Sequence, residues 1–160
     1  MQTTIEKNAG RVLVKFERRM AHPVEKVWRA LTERDQLNEW FPSDIGVDAI
    51  APDSALHFTF RKDEGPDGEG KVLEFDPPRL LVLTWYDAVL RFELTPTDDG
   101  GCVLVMSHDV EDDGVRPARD SGGWEFCISK LDELLGGPAV ADRTEAEWKQ
   151  VNDHFADLLR

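Results

Sequence analysis

Apolar residues along this chain follow two periods, one typical of half-buried strands and one typical of amphipathic helices. Residues 11–20 carry apolar side chains at 12, 14, 16 and, after a slip, 20, while Leu13 breaks the strict alternation. This pattern predicts a first strand. Residues 24–31 then show helical spacing behind Pro23, a residue type suited to the first turn of a helix. The apolar positions of this helix are Val24, Val27, Trp28 and Leu31.

A second, shorter helix is predicted directly after the first. Thr32 is followed three positions later by Asp35, which resembles a helix cap. Leu37, Trp40 and Phe41 follow at helical spacing, and Pro42 then ends the helix.

From Asp44 onward, period two replaces the helical period. Turn signals at 63–68, 76–79 and 98–101 separate the apolar runs, and together they give about six consecutive antiparallel strands. The clearest runs are 56–60, 70–75, 80–85, 88–95 and 102–108. The apolar face of such a sheet must be covered by another element to be shielded from water.

A long amphipathic helix over 116–135 is the predicted cover, since it carries an apolar stripe that includes Trp124, Ile128 and Leu131. A last helix over 144–159 follows an alanine-rich connection. The pattern therefore predicts an α+β fold and, at 160 residues, a single domain over 1–160 with a core at about 11–137 and an appended helix over 138–160.

The charge balance narrows the classes of partner. The chain has 19 Lys and Arg against 32 Asp and Glu, a net charge of -13, and a pI near 4.6. The basic runs at 11–19 and 61–62 are short, so we expect no nucleic-acid binding. No signal peptide and no membrane span are predicted, which makes a cytoplasmic location the default expectation.

Motifs for metal, nucleotide or nucleophilic chemistry are not found in the sequence. The four histidines lack metal-ligand spacing, and no Walker, dinucleotide or G-x-S-x-G pattern occurs, so we expect no metal and no cofactor. The glycines of 65–70 are explained by a hairpin loop. Cys102 and Cys127 are interpreted as reduced, packed thiols.

Several motifs, taken in order, resemble the START-like (SRPBCC) superfamily, and within it the branch of heat-shock protein ATPase activator homologues. They are Val27-Trp28-Arg29-Ala30-Leu31-Thr32, Trp40, the run from Gly70 through Glu74 to Asp76-Pro77-Pro78, Thr84-Trp85, a last strand ending in His108, and Gly122-Gly123-Trp124 with Leu131. The resemblance covers roughly 11–137 and leaves the tail outside it.

This resemblance implies a helix-grip fold, in which a bent antiparallel sheet wraps the long C-terminal helix and encloses a cavity. Binding of a small hydrophobic or aromatic ligand there is the first hypothesis. Trp28 and Trp148 fall on helical stripes that need burial and are assigned structural roles, and Gly123 is assigned to close packing of the helix on the sheet. The candidate ligand contacts are Trp40, Phe58, Phe60, Trp85, Met106, His108, Trp124 and Ile128.

Two rival functions stay open at this point. One is a co-chaperone-like interaction module that stimulates a chaperone ATPase. The other is cyclase-like or hydrolytic chemistry, with no catalytic residue assigned, for which His108, Glu74 and Arg91 would have to converge in the cavity. Glu74 and Arg91 are otherwise interpreted as surface cross-strand partners. The last helix also makes a homodimer possible.

Overall fold

The computed structural model describes residues 1–61 and 64–160. Among these residues, eight strands form one antiparallel curved sheet in the order β1-β2-β8-β7-β6-β5-β4-β3. The strands are β1 (Gln2–Asn8), β2 (Arg11–Met20), β3 (Ser43–Asp44), β4 (Ala55–Phe60), β5 (Gly68–Asp76), β6 (Leu80–Trp85), β7 (Ala88–Pro96) and β8 (Cys102–Glu111). The helices are α1 (Val24–Thr32), α2 (Arg34–Trp40), α3 (Arg116–Leu134) and α4 (Glu145–Leu158).

The predicted fold class is confirmed: this is an α+β helix-grip fold, with α3 lying against the inner face of the sheet. The sequence pattern predicts every described helix. It also predicts β2 and the five strands β4 to β8, and most ends of these five strands agree within one or two residues. The predicted loop 63–68 and the basic pair 61–62 lie partly outside the described residues, and β5 already begins at Gly68. No described helix combines the length and apolarity needed to cross a membrane.

β1 is an edge strand that the hydrophobic pattern does not predict. It pairs with β2 over its whole length, with Gln2 opposite Glu17 and Asn8 opposite Arg11. The two residues between the strands, Ala9 and Gly10, have φ values of +50° and +79°, as a tight hairpin turn requires. Polar residues occupy most of β1, and none of its side chains is fully buried, so it lacks the apolar alternation that identifies the inner strands.

The alternation of β2 continues without the predicted slip. Its register with β8 is regular from Arg11 to Met20. Arg18 occupies the inward-facing position between Phe16 and Met20, where its guanidinium forms an ion pair with Asp132 of α3. The charged residue therefore connects the strand to the helix that covers it.

Thr32 does not cap α2, contrary to the sequence-based expectation. It is the last residue of α1, and its hydroxyl donates a hydrogen bond to the carbonyl of Trp28 at 2.9 Å. A threonine hydroxyl inside a helix commonly bonds to the carbonyl four residues earlier. Helix α2 instead begins after Glu33, which makes no side-chain cap hydrogen bond.

Helix α4 packs on the outer side of α3. A capping box fixes its start, in which the Thr144 hydroxyl accepts from the Glu147 backbone N–H and the Glu147 carboxylate accepts from the Thr144 backbone N–H. Phe155, 1% exposed, reaches past α3 and meets the ring of Phe16 edge-on at 6.2 Å between centroids. The helix outside the family resemblance thus contributes to the same core.

Candidate functional site: a pocket between α3 and the β6–β7 turn

An open pocket of about 670 Å³ lies beside the N-terminal half of α3. This volume falls within the range of about 300–1,000 Å³ that is usual for small-molecule sites. Its walls come from α3, from the β6–β7 turn and from the chain that flanks β4. The described lining residues include Pro42, Phe60, Glu64, Trp85, Tyr86, Asp87, Arg116, Arg119, Asp120, Gly123, Trp124 and Cys127.

Aromatic rings form one side of this pocket. Trp85 meets Trp124 edge-on with 5.1 Å between ring centroids, and Phe60 lies 6.1 Å from Trp85 in a similar arrangement. The indole N–H of Trp85 donates to the hydroxyl of Ser43 at 3.3 Å. Because each ring is packed against another, this wall is held in place without a ligand.

Tyr86 completes the aromatic wall from an unusual backbone position. It is the first residue of the two-residue turn between β6 and β7 and has a φ of +56°. Its ring stacks on Phe60 at 6.1 Å and lies over Gly68, where a Cβ atom would overlap it. Its hydroxyl donates to the carbonyl of Pro66. Burial raises the pKa of the Tyr86 phenol, so the side chain is neutral at physiological pH.

Arg116, in the first turn of α3, connects the helix to the β6–β7 turn. Its guanidinium bonds both carboxylate oxygens of Asp87, at 2.7 and 2.5 Å, and its Nε donates to Asp120 at 3.1 Å. The hydrogen bond to Asp87 is the largest cause of the raised pKa of Arg116, and the same bond lowers the pKa of Asp87. A bidentate arginine–carboxylate pair of this kind fixes geometry as well as charge.

Arg116→Ala is expected to lower the free energy of unfolding by about 2 kcal/mol, since it removes charged hydrogen bonds from Asp87 and from the largely buried Asp120. Chemical denaturation measures this loss. Arg119→Ala is the matched control, because that side chain is 61% exposed and also bonds Asp120. It should cost less than about 1 kcal/mol. Equal losses in the two variants would contradict the bridging role of Arg116.

His108 lies behind the pocket wall and is fully buried. Within the described part of the chain, neither ring nitrogen has a hydrogen-bond partner. Its Nε2 is 3.7 Å from Oδ2 of Asp120, which is too long for a hydrogen bond. Burial lowers the pKa of His108 from 6.5 to about 4, with the charge of Asp120 as the largest opposing cause. The imidazole is therefore neutral at pH 7.

Three of the candidate ligand contacts from the sequence line the pocket, namely Phe60, Trp85 and Trp124. The others lie deeper. Trp40 is 3% exposed and donates its indole N–H to the carbonyl of Ala30 at 2.8 Å, so its polar atom is already satisfied. The remaining core positions, apart from His108, are Phe58, Met106 and Ile128.

Glu74 and Arg91 lie away from the pocket, on the outer face of the sheet. Their closest charged atoms are 3.4 Å apart, and their side chains are 57% and 43% exposed. Both residues lie opposite Val82 of β6, so they form an exposed ion pair that spans the intervening strand rather than a pair on adjacent strands. Since His108 points to the inner face, the three residues named for the enzymatic alternative do not converge.

Gly122 and Gly123 have opposite surroundings, and the packing role assigned to Gly123 from the sequence is wrong. A Cβ atom at Gly123 would have no heavy atom of the described residues within 4 Å, because Gly123 faces the open pocket. A Cβ atom at Gly122 would instead lie 2.9 Å from Val151 of α4. The close approach is therefore between α3 and α4 at Gly122, not between α3 and the sheet at Gly123.

The sequence patterns gave no sign of the polar side of the pocket. Asp87, Arg116 and Asp120 sit in a turn and at the start of a helix, where charged residues are ordinary. A possible signal was the spacing of Arg116 and Asp120, which puts opposite charges four residues apart on one helix face. Cys127 also lines the pocket, and burial raises the pKa of its thiol to about 12.

Residues 21–136 match the family described as Activator of Hsp90 ATPase homolog 1-like protein. The chain belongs to this family. The match spans α1 to the end of α3, and so includes every described pocket residue. No functionally curated protein has significant sequence similarity to the chain.

Solved structures with the same fold accompany this family match. A conserved protein of unknown function from Enterococcus faecalis, EF2215, superposes with a TM-score of 0.83 at 20% identity, covering 99% of this chain and 90% of its own. CalU16 from Micromonospora echinospora gives 0.70 at 18% identity, with coverages of 98% and 92%. Protein MLL2253 from Mesorhizobium loti gives 0.63 at 30% identity, with coverages of 77% and 96%. The first two extend the likeness to nearly the whole chain.

Proposed function

We propose that this member of the Activator of Hsp90 ATPase homolog 1-like family binds a small hydrophobic or aromatic molecule in the pocket beside α3. The observation that carries this proposal is the pocket itself, about 670 Å³ in volume and walled by Phe60, Trp85, Tyr86 and Trp124. Apolar burial of about 25 cal/mol per Å² would supply most of the affinity. The fixed aromatic wall reduces the cost of ordering the site on binding.

Gly123→Leu is expected to weaken ligand binding roughly tenfold or more, because the new side chain enters the pocket. Native mass spectrometry and tryptophan fluorescence, with Trp85 and Trp124 as reporters, would measure binding of polycyclic aromatic and polyketide-like compounds. Gly123→Ala is the matched control, since it adds one methyl group and leaves most of the pocket open. Neither change should destabilise the fold, because a glycine inside a helix costs about 1 kcal/mol relative to alanine.

Two results would contradict the proposal. One is that no compound in the panel gives saturable quenching or a bound mass with the wild-type protein. The other is a compound that binds wild-type and Gly123→Leu proteins equally well, since it would have to occupy another site.

The family description supports a second candidate function, stimulation of a chaperone ATPase through surface contacts. The test is a steady-state ATPase assay of an Hsp90-type chaperone with and without this protein. A concentration-dependent rise in ATP hydrolysis that is unchanged by Gly123→Leu would favour this function over ligand binding. An unchanged rate would remove it.

A further inference from the structure

Asp120 lines the pocket, and its carboxylate does not use all of its hydrogen-bond acceptor positions within the described residues. Its side chain is 11% exposed. Oδ1 accepts from Nε of Arg119 at 3.0 Å and lies 2.9 Å from Nη2 of the same guanidinium. Oδ2 accepts from Nε of Arg116 at 3.1 Å. A carboxylate offers about four acceptor positions, two on each oxygen, so among residues 1–61 and 64–160 one position on Oδ2 has no donor.

His108 does not fill this position. Its Nε2 is 3.7 Å from Oδ2, and the ring is inaccessible behind the wall. Both ring nitrogens of His108 lack a hydrogen-bond partner among the described residues, which is unusual because buried polar groups are nearly always hydrogen-bonded. A donor that enters from the pocket side would satisfy the free position on Oδ2.

The charges around Asp120 favour a neutral donor. The guanidinium of Arg116 is shared between Asp87 and Asp120, and Arg119 also pairs with Asp120. An anionic ligand would have to displace one of these carboxylates, and a cationic ligand would lie next to two arginines. Glu64, the other charged lining residue described, lies on the exposed rim.

We propose that Asp120 accepts a hydrogen bond from a ligand hydroxyl, so that the pocket selects neutral aromatic alcohols or phenols. This inference rests on the proposed ligand-binding function and names the chemical class of the ligand. The aromatic body lies against Trp85 and Trp124, and the hydroxyl reaches the carboxylate on the adjacent turn of α3. A hydrogen bond to a charged acceptor is stronger than one between neutral groups.

Four pyrene derivatives with the same aromatic body test the inference by fluorescence titration: 1-hydroxypyrene, 1-methoxypyrene, pyrene-1-carboxylate and 1-pyrenemethylammonium. The hydroxyl compound is expected to bind roughly tenfold more tightly than the methoxy compound, which can only accept. Asp120→Ala should abolish this preference while the methoxy compound still binds. Asp120→Asn, which keeps the shape, should reduce it, and Glu74→Gln, on the far face, should leave it unchanged.

The possible results distinguish failure of the hydroxyl site from failure of the proposed ligand-binding function. Equal affinity for the hydroxyl and methoxy compounds, tighter binding of either ion, or a preference that survives Asp120→Ala would each overturn the hydroxyl site, while ligand binding itself would stand. The comparison of the four compounds on wild-type protein needs no variant to fold. Binding of none of them would overturn both proposals.

Discussion

Replacing Trp124 with alanine is expected to lower the free energy of unfolding by about 3 to 5 kcal/mol, the usual range for removing a buried aromatic side chain. Trp124 is 2% exposed and lies at the centre of the aromatic cluster. Its ring centroid is 5.1 Å from that of Trp85, 5.5 Å from that of Phe41 and 6.1 Å from that of His108. The truncation would join the pocket to a new cavity in the core.

Urea denaturation followed by circular dichroism measures this loss, and Trp148→Ala is the matched control. Trp148 lies on α4, where its ring contacts Phe126 at 5.4 Å and the guanidinium of Arg143 at 4.9 Å. That half-buried contact is worth about 1 kcal/mol. A loss for Trp124→Ala no larger than for Trp148→Ala would show that the pocket wall is not part of the stabilising core.

The regular elements could be predicted because their burial follows simple periods. β4 alternates Leu56, Phe58 and Phe60 toward the core, and β6 is a short run of apolar residues buried within the sheet. The same rule fails for β1, whose side chains are mostly exposed because the strand lies at the edge. Backbone hydrogen bonds to β2 hold β1 in the sheet. Such bonds do not require apolar side chains, so the sequence of β1 shows no alternation of apolar and polar residues.

Sequence patterns assign a side chain to a face of the sheet but not to a depth along it. Phe58 and Phe60 share one face, yet Phe58 is fully buried whereas Phe60, two residues later, lines the pocket. Tyr86 was missed for a different reason. It projects from a turn with a positive φ, and its position over Gly68 depends on the pairing of distant strands. Such long-range placement has no local signature.

Acidification from pH 6.5 to about pH 4 is expected to destabilise the protein by about 3 kcal/mol through His108 alone, at about 1.4 kcal/mol per pKa unit. Burial lowers the pKa of this imidazole in the folded protein from 6.5 to about 4. Between these values the unfolded chain binds a proton that the folded protein excludes, so stability falls as pH falls. Below about pH 4 both states are protonated, and the loss stops growing.

Denaturation midpoints at a series of pH values would measure this effect in wild-type and His108→Gln proteins. Among the described residues, the charged groups that act on His108 are Asp120, Arg116, Asp109 and Asp87. They stay in place in the variant, so the difference between the two curves isolates the imidazole. His57→Gln is the control, since the His57 side chain is 57% exposed. Parallel curves for wild-type and His108→Gln proteins in this window would refute the expectation.

Neighbouring residues on one turn of α3 govern two separate properties of the molecule. Gly123 lines the pocket, and Gly122 faces Val151 of α4 on a different side of the helix. A larger residue at the first would change how much the pocket can hold, and a larger residue at the second would change how the terminal helix attaches. The volume of the pocket and the attachment of the terminal helix can therefore change independently, each through a single substitution.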